Sequence, residues 1–121
     1  SKTIFAPDAF AGKSVLISGG TSGIGYAAAA MFLSSGARVV LMGVTSSIYH
    51  EGALDALSAE ELDALLDTNI KGTIHLSQAA LPHLRRARGN IVNIASDAGL
   101  HGNYFCAAYA ATKGAVVALT R

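Results

Sequence analysis

An α/β fold organised around a parallel sheet is the class this sequence predicts, and three observations carry it. Two short apolar, β-branched runs flank a helical segment within roughly 30 residues, the length of a strand, crossover helix and strand. Glycines crowd the turn that leads from the first run into the helix. Apolar residues fill 51% of the 121 positions and charged residues 14%, with a mean hydropathy of +0.41, a balance that suits strands buried on both faces. The length fits one domain.

The elements follow in order. Residues 13–20, KSVLISGG, read as a buried strand running into a tight turn. A helix is expected from about Ile24 to Ser35, with Gly36 where a left-handed C-terminal cap would sit. Ala37 to Gly43, ARVVLMG, is the second strand. The pattern then loosens until Ser58, Ala59, Glu60 and Glu61 supply a capping box for a long helix. Leu62, Leu65, Leu66, Ile70, Thr73, Ile74, Ala80, Leu81 and Leu84 recur at three and four, which predicts one broad apolar face through about Arg86, with Pro82 bending or ending the helix. Gly89 and Asn90 break into IVNIAS, a third buried strand, and a loop bearing Gly99 and Gly102 leads to a last helix beginning near Ala107.

Composition excludes several classes of function. The net charge of +1 is dispersed, with LRRAR at 84–88 the one basic cluster, so nucleic acid is not an expected partner. Apolar runs stay shorter than the ~18 residues a membrane span needs, and the opening residues lack a hydrophobic signal core. Cys106 is the single cysteine, which fits a reducing, cytoplasmic setting. His50, His75, His83 and His101 show no metal-ligand spacing, and Glu60, Glu61, Asp63 and Asp67 crowd a helix start, where negative charge is favoured; no metal is expected.

Two stretches carry chemistry. SGGTSGIG, Ser18 to Gly25, joins a strand to a helix, where glycines let the backbone turn and approach a pyrophosphate while the helix N-terminus offers free N–H groups. The alternative is a glycine-rich turn with no ligand. AAYAATKG, residues 107–114, places Tyr109 four residues before Lys113, hence on one helix face. A free tyrosine has a pKa near ~10 and is a poor base at neutral pH, and a neighbouring ammonium favours its phenolate. Tyr26, Tyr49 and Tyr104 have no lysine at that spacing, so Tyr109 is the candidate. An isolated pair of this kind is more often a surface aromatic and a solvated lysine.

These residues resemble the short-chain dehydrogenase/reductase family. Ser18-Gly19 to Gly25 is similar to its T-G-x-x-x-G-[IL]-G motif, with Ser18 in place of threonine; DTNIKG at 67–72 resembles the segment carrying an active-site asparagine, here Asn69. IVNIASDAG resembles the strand and loop carrying a serine, here Ser96, and YAATK is its Y-x-x-x-K, thirteen residues beyond Ser96. The resemblance implies a Rossmann-like doubly wound parallel sheet in three layers. It implies NAD or NADP as cofactor, held by Ser18, Gly19, Thr21, Ser22, Gly23, Ile24, Gly25, Tyr109 and Lys113. The implied reaction interconverts a secondary alcohol and a ketone by hydride transfer, with Tyr109 as acid/base, Ser96 holding the substrate oxygen, Lys113 bonding the nicotinamide ribose and Asn69 anchoring a water next to Lys113. Family members pair through the long helix and the helix after the tyrosine, so Leu62 to Leu84 and Ala115 to Leu119 are the expected faces of a homo-oligomer, a dimer or tetramer.

The sequence departs from the family in length. VTSS stands where a helix, strand, helix and strand ending in N-N-A-G belong, which predicts a seam with missing residues near 43–47 of a single, partial domain; the C-terminal part is also absent. The resemblance places an absent strand between the first and third seen here, so a gap with unpaired backbone is expected between VLISG and IVNIA. Gly43 and Val44 supply neither the acid that favours NAD nor the base that favours NADP. The other reading is a non-catalytic module that serves oligomer assembly or nucleotide sensing.

Overall fold

The computed structural model describes residues 4–18, 23–42 and 51–121. Those residues divide between two compact units, one of Ser1–Ser46 with Leu76–Ile94 and one of Ser47–His75 with Ala95–Arg121. The predicted seam at 43–47 and most of the glycine turn, Gly19 to Ser22, lie outside the described residues.

The first unit is an α/β arrangement on a parallel sheet, as the sequence predicts. Strand β1 (Ser14–Ser18) is central, with β2 (Arg38–Met42) on one side and β3 (Asn90–Asn93) on the other. Val15, Leu16 and Ile17 are all buried, which accounts for a run with no polar alternation. The expected gap beside β1 does not occur. Strand β3 pairs directly with β1, Val15 opposite Asn90 through Ser18 opposite Asn93. Among the described residues no strand intervenes, and that ladder gives the N–H and C=O groups of the β1 edge their partners.

Helix α1 (Gly23–Ser34) lays Ala28, Ala29 and Phe32 onto Val15 and Ile17, with Ala37, Val39, Val92 and Ile94 completing the cluster. Small residues at 28 and 29 let the helix approach the strands closely. The helix ends as expected, with Gly36 at φ 91°, a conformation an L side chain resists. The residues before β1 add packing that the sequence pattern did not announce: Phe10 meets Phe32 edge to face at 4.9 Å and Phe5 at 5.3 Å.

The expected long helix forms in three parts. Helix α2 (Ala59–Leu65) begins on the predicted capping box, Ser58 Oγ accepting from the Glu61 amide at 3.1 Å and Glu61 Oε2 accepting from the Ser58 amide at 2.8 Å. A π-helical segment follows (Leu66–Lys71), and then α3 (Gly72–Ala87). Pro82 does not end α3. Pro82 and Gln78, whose carbonyl the missing N–H would have met, are both exposed. The loop expected around Gly99 contains a short helix, α4 (Ala98–His101), and the last helix, α5 (Ala107–Thr120), starts where predicted.

Candidate active site

The second unit holds all four residues proposed for chemistry: Asn69, Ser96, Tyr109 and Lys113. Helix α5 positions two of them. Its alanines and Val116 give it a narrow body, and Ala110, Thr112, Lys113 and Val116 are its buried residues. Lys113 is 2% exposed, an unusual state for a lysine, and its Nζ lies 5.8 Å from the centre of the half-buried Tyr109 ring. The i and i+4 positions therefore do share a face. Burial removes water from the ammonium and pulls the Lys113 pKa below its ordinary 10.5.

Asn69 sits in the π-helical segment, 3% exposed. Widening the helix by one residue per turn is uncommon and occurs often at functional positions. Here it coincides with a buried asparagine whose two polar ends are both engaged. The side-chain amide Nδ2 donates to Thr112 Oγ1 at 3.1 Å, and the main-chain carbonyl accepts the Thr73 hydroxyl at 3.0 Å. Thr112 itself is 1% exposed, and its hydroxyl donates to the Tyr109 carbonyl at 2.7 Å.

Ser96 follows β3 and precedes α4. Its hydroxyl accepts from the Ala98 amide at 3.2 Å and donates to Asp97 Oδ1 at 3.2 Å, while Asp97 Oδ1 also accepts from the Ala98 amide at 2.8 Å. The serine thus shares the capping of α4 with Asp97. A hydroxyl has one proton, so Ser96 must turn from Asp97 before it can donate to a substrate.

Packing of α4 on α5 depends on two glycines, Gly99 of the predicted loop and Gly114 just after the Y-x-x-x-K stretch. A Cβ at Gly99 would stand 2.5 Å from the Lys113 carbonyl carbon and 2.7 Å from the Gly114 nitrogen, and one at Gly114 would meet the Gly99 carbonyl at 3.3 Å. Ala98, Cys106 and Ala110 form the small apolar cluster beside this crossing, with Tyr109 packed against it. The pattern of Gly99 and Gly114 against each other was not visible in either stretch by itself.

The glycine turn belongs to the other unit. Of its proposed residues, Ser18 ends β1, and Gly23, Ile24 and Gly25 open α1, with Gly25 buried and Ile24 exposed; Gly19, Thr21 and Ser22 fall outside the described residues. Gly23 has φ 55°, and no described atom comes within 4 Å of where its Cβ would be.

Comparison with known proteins gives these features a lineage. The short chain dehydrogenase family model matches residues 46–121. L-fucose dehydrogenase of Bos taurus is 32% identical over 160 aligned residues, covering 93% of this chain and 59% of that protein. Meso-2,3-butanediol dehydrogenase of Serratia marcescens is 37% identical over 84 residues, 69% of this chain and 34% of its own length. A 3-oxoacyl-[acyl-carrier-protein] reductase of Thermotoga maritima is 31% identical over 85 residues, 69% of this chain and 35% of that one. The chain spans 59% of the length of the bovine relative.

Proposed function

Because this chain belongs to the short chain dehydrogenase family, we propose that it is part of an NAD(P)-dependent oxidoreductase that interconverts a secondary alcohol and a ketone, with Tyr109 as general acid/base. The observation that carries the reading is Lys113, buried to 2% exposure against the Tyr109 ring. A desolvated ammonium is costly to keep, and its placement beside a phenol gives it a chemical use.

NAD or NADP would be held by the turn from Ser18 through Gly19, Thr21, Ser22, Gly23 and Ile24 to Gly25, together with Tyr109 and Lys113. The left-handed backbone of Gly23 supports this, with no described atom within 4 Å of where a side chain would start. Bound there, the coenzyme supplies the two-electron acceptor or donor. Tyr109 gives its phenolic proton to the carbonyl oxygen in reduction and takes the hydroxyl proton in oxidation. Lys113 stabilises negative charge as it develops on the phenol oxygen, and its own lowered affinity for protons suits it to pass one on. Ser96, once turned from Asp97, orients the substrate oxygen, and Asn69 anchors a water beside Lys113.

The same reading places missing residues near 43–47 of a single Rossmann-type domain. An alignment of 160 positions with the bovine relative, longer than the 121 residues available, supports an internal gap. Exposed Leu62, Leu81 and Leu119 support pairing of copies through the α2–α3 segment and the end of α5. The reading includes a cytoplasmic homo-oligomer, a setting that suits the free thiol of Cys106.

The test is Tyr109→Phe in the full-length protein, assayed with both coenzymes against L-fucose, 2,3-butanediol and a 3-oxoacyl thioester. Turnover should fall by about 10²-fold or more while coenzyme affinity stays within about threefold. Unchanged turnover defeats the assignment of Tyr109. Coenzyme binding with no turnover by the unsubstituted protein on any substrate would favour a nucleotide sensor, and no binding at all an assembly module.

A further inference from the structure

We propose that Thr112 is a positioning residue that locks the π-helical segment bearing Asn69 onto the helix bearing Tyr109 and Lys113. The proposal rests on the reading of Tyr109 and Lys113 given above.

Three neighbouring facts make the case. Thr112 is nearly inaccessible, at 1% exposure, yet polar, and it lies between Tyr109 and Lys113 along α5. Its hydroxyl joins groups distant in sequence, accepting from Asn69 Nδ2 across 43 residues at 3.1 Å and donating to the Tyr109 carbonyl at 2.7 Å. The element on the far side of the bond is the π-helical Leu66–Lys71, a rare geometry that occurs frequently at functional sites.

Hydroxyl valence fixes the direction of this link. Threonine has one proton, and the Tyr109 carbonyl takes it, so a lone pair remains for the Asn69 amide. That lone pair selects the NH₂ end of Asn69 and turns the side-chain oxygen away from Thr112. On the other side, the Thr73 hydroxyl holds the Asn69 main-chain carbonyl. The Asn69 side chain is thus held by Thr112, while Thr73 makes an ordinary back-bond to its main-chain carbonyl. A local bond from a helical threonine to the carbonyl three residues back is common and by itself carries no such meaning. The bond to Asn69 is what distinguishes Thr112, because low polarity around buried groups strengthens a satisfied link and penalises a broken one.

The decisive pair is Thr112→Val, which keeps the branched shape and loses the hydroxyl, and Thr112→Ser, which keeps the hydroxyl. In the full-length enzyme the valine variant should lose about tenfold in kcat with coenzyme KM within about twofold, and the serine variant should stay within about threefold of wild type. Independently of turnover, the Asn69 side-chain NH₂ should exchange slowly with solvent by NMR in the wild type and the serine variant, and rapidly in the valine variant. Equal losses in both variants, or wild-type kcat in Thr112→Val, would overturn the positioning role. Rapid exchange of the Asn69 NH₂ in the wild type overturns it even if Thr112→Val fails to fold. Tyr109→Phe runs alongside: if it retains turnover while Asn69 protection still follows the hydroxyl at 112, the link stands and the proton-transfer reading is what fails.

Discussion

The two units solve different problems. In the sheet unit the buried side chains are apolar, Val15, Leu16 and Ile17 of β1 with Ala29 and Ala37, and the one polar exception among the described residues is Ser35. In the helical unit, Asn69, Thr73, Thr112 and Lys113 are buried beside Leu65, Ala98, Cys106, Ala110 and Val116. Burying apolar area stabilises at about 25 cal/mol per Å², whereas a buried polar group gains only about 0.5–1.5 kcal/mol for each hydrogen bond made and costs about 1–3 kcal/mol if left without one. The sheet unit is thus built for stability, and the helical unit gives some of it up to hold a polar arrangement in fixed geometry. Such a trade is expected where chemistry is done.

The largest effect should come from Ile17→Ala in the sheet unit. Ile17 is fully buried at the centre of the cluster, and its truncation should cost about 2–5 kcal/mol. Hydrogen exchange resolved along the chain should show β1, β2 and β3 losing most protection. Uniform loss from end to end would break the contrast, since it would mean the chain opens as one cooperative body.

Gly99→Ala should come next, at about 1–3 kcal/mol, because the added Cβ presses on main-chain atoms of Lys113 and Gly114 that have no flexible end to yield. Protection should fall first in α4 and α5. If urea unfolding followed by circular dichroism gave wild-type midpoints, the close approach of these helices would not be a constraint.

Lys113→Met gives the smallest change in stability and the sharpest one in sign. Burial lowers the pKa of Lys113 in the folded protein, so between that value and 10.5 the unfolded chain binds the proton more strongly. Wild-type stability is therefore penalised at neutral pH and recovers as pH rises through the folded value toward 10.5. The methionine variant lacks that dependence. Its urea midpoint should exceed wild type at pH 7, the difference should shrink at alkaline pH, and turnover should fall by about 10²-fold or more. A lower midpoint at pH 7 would make Lys113 a structural residue and remove the distinction between the units.

Some of this molecule is written locally. The capping box at Ser58 and Glu61, the left-handed Gly36 and the start of α5 each depend on residues within a turn of one another, and all three could be read from the sequence. So could the shared face of Tyr109 and Lys113, because helical periodicity alone puts them there. The π-helical segment was different. Its Leu66 and Ile70 recur as an ordinary amphipathic helix would have them, and one extra residue in a turn leaves almost no trace in such a pattern.

Periodicity, caps and motif spacing are short-range properties, and they were enough to set the class of fold, the order of its strands and main helices and the candidate residues. Tertiary structure alone decided that β3 would close against β1, that Gly99 and Gly114 would let two backbones meet, and that Thr112 would hold Asn69. Each of those joins segments separated by a loop or more, and which partner a strand edge, a glycine or a buried hydroxyl finds depends on what else is left unsatisfied when the chain packs.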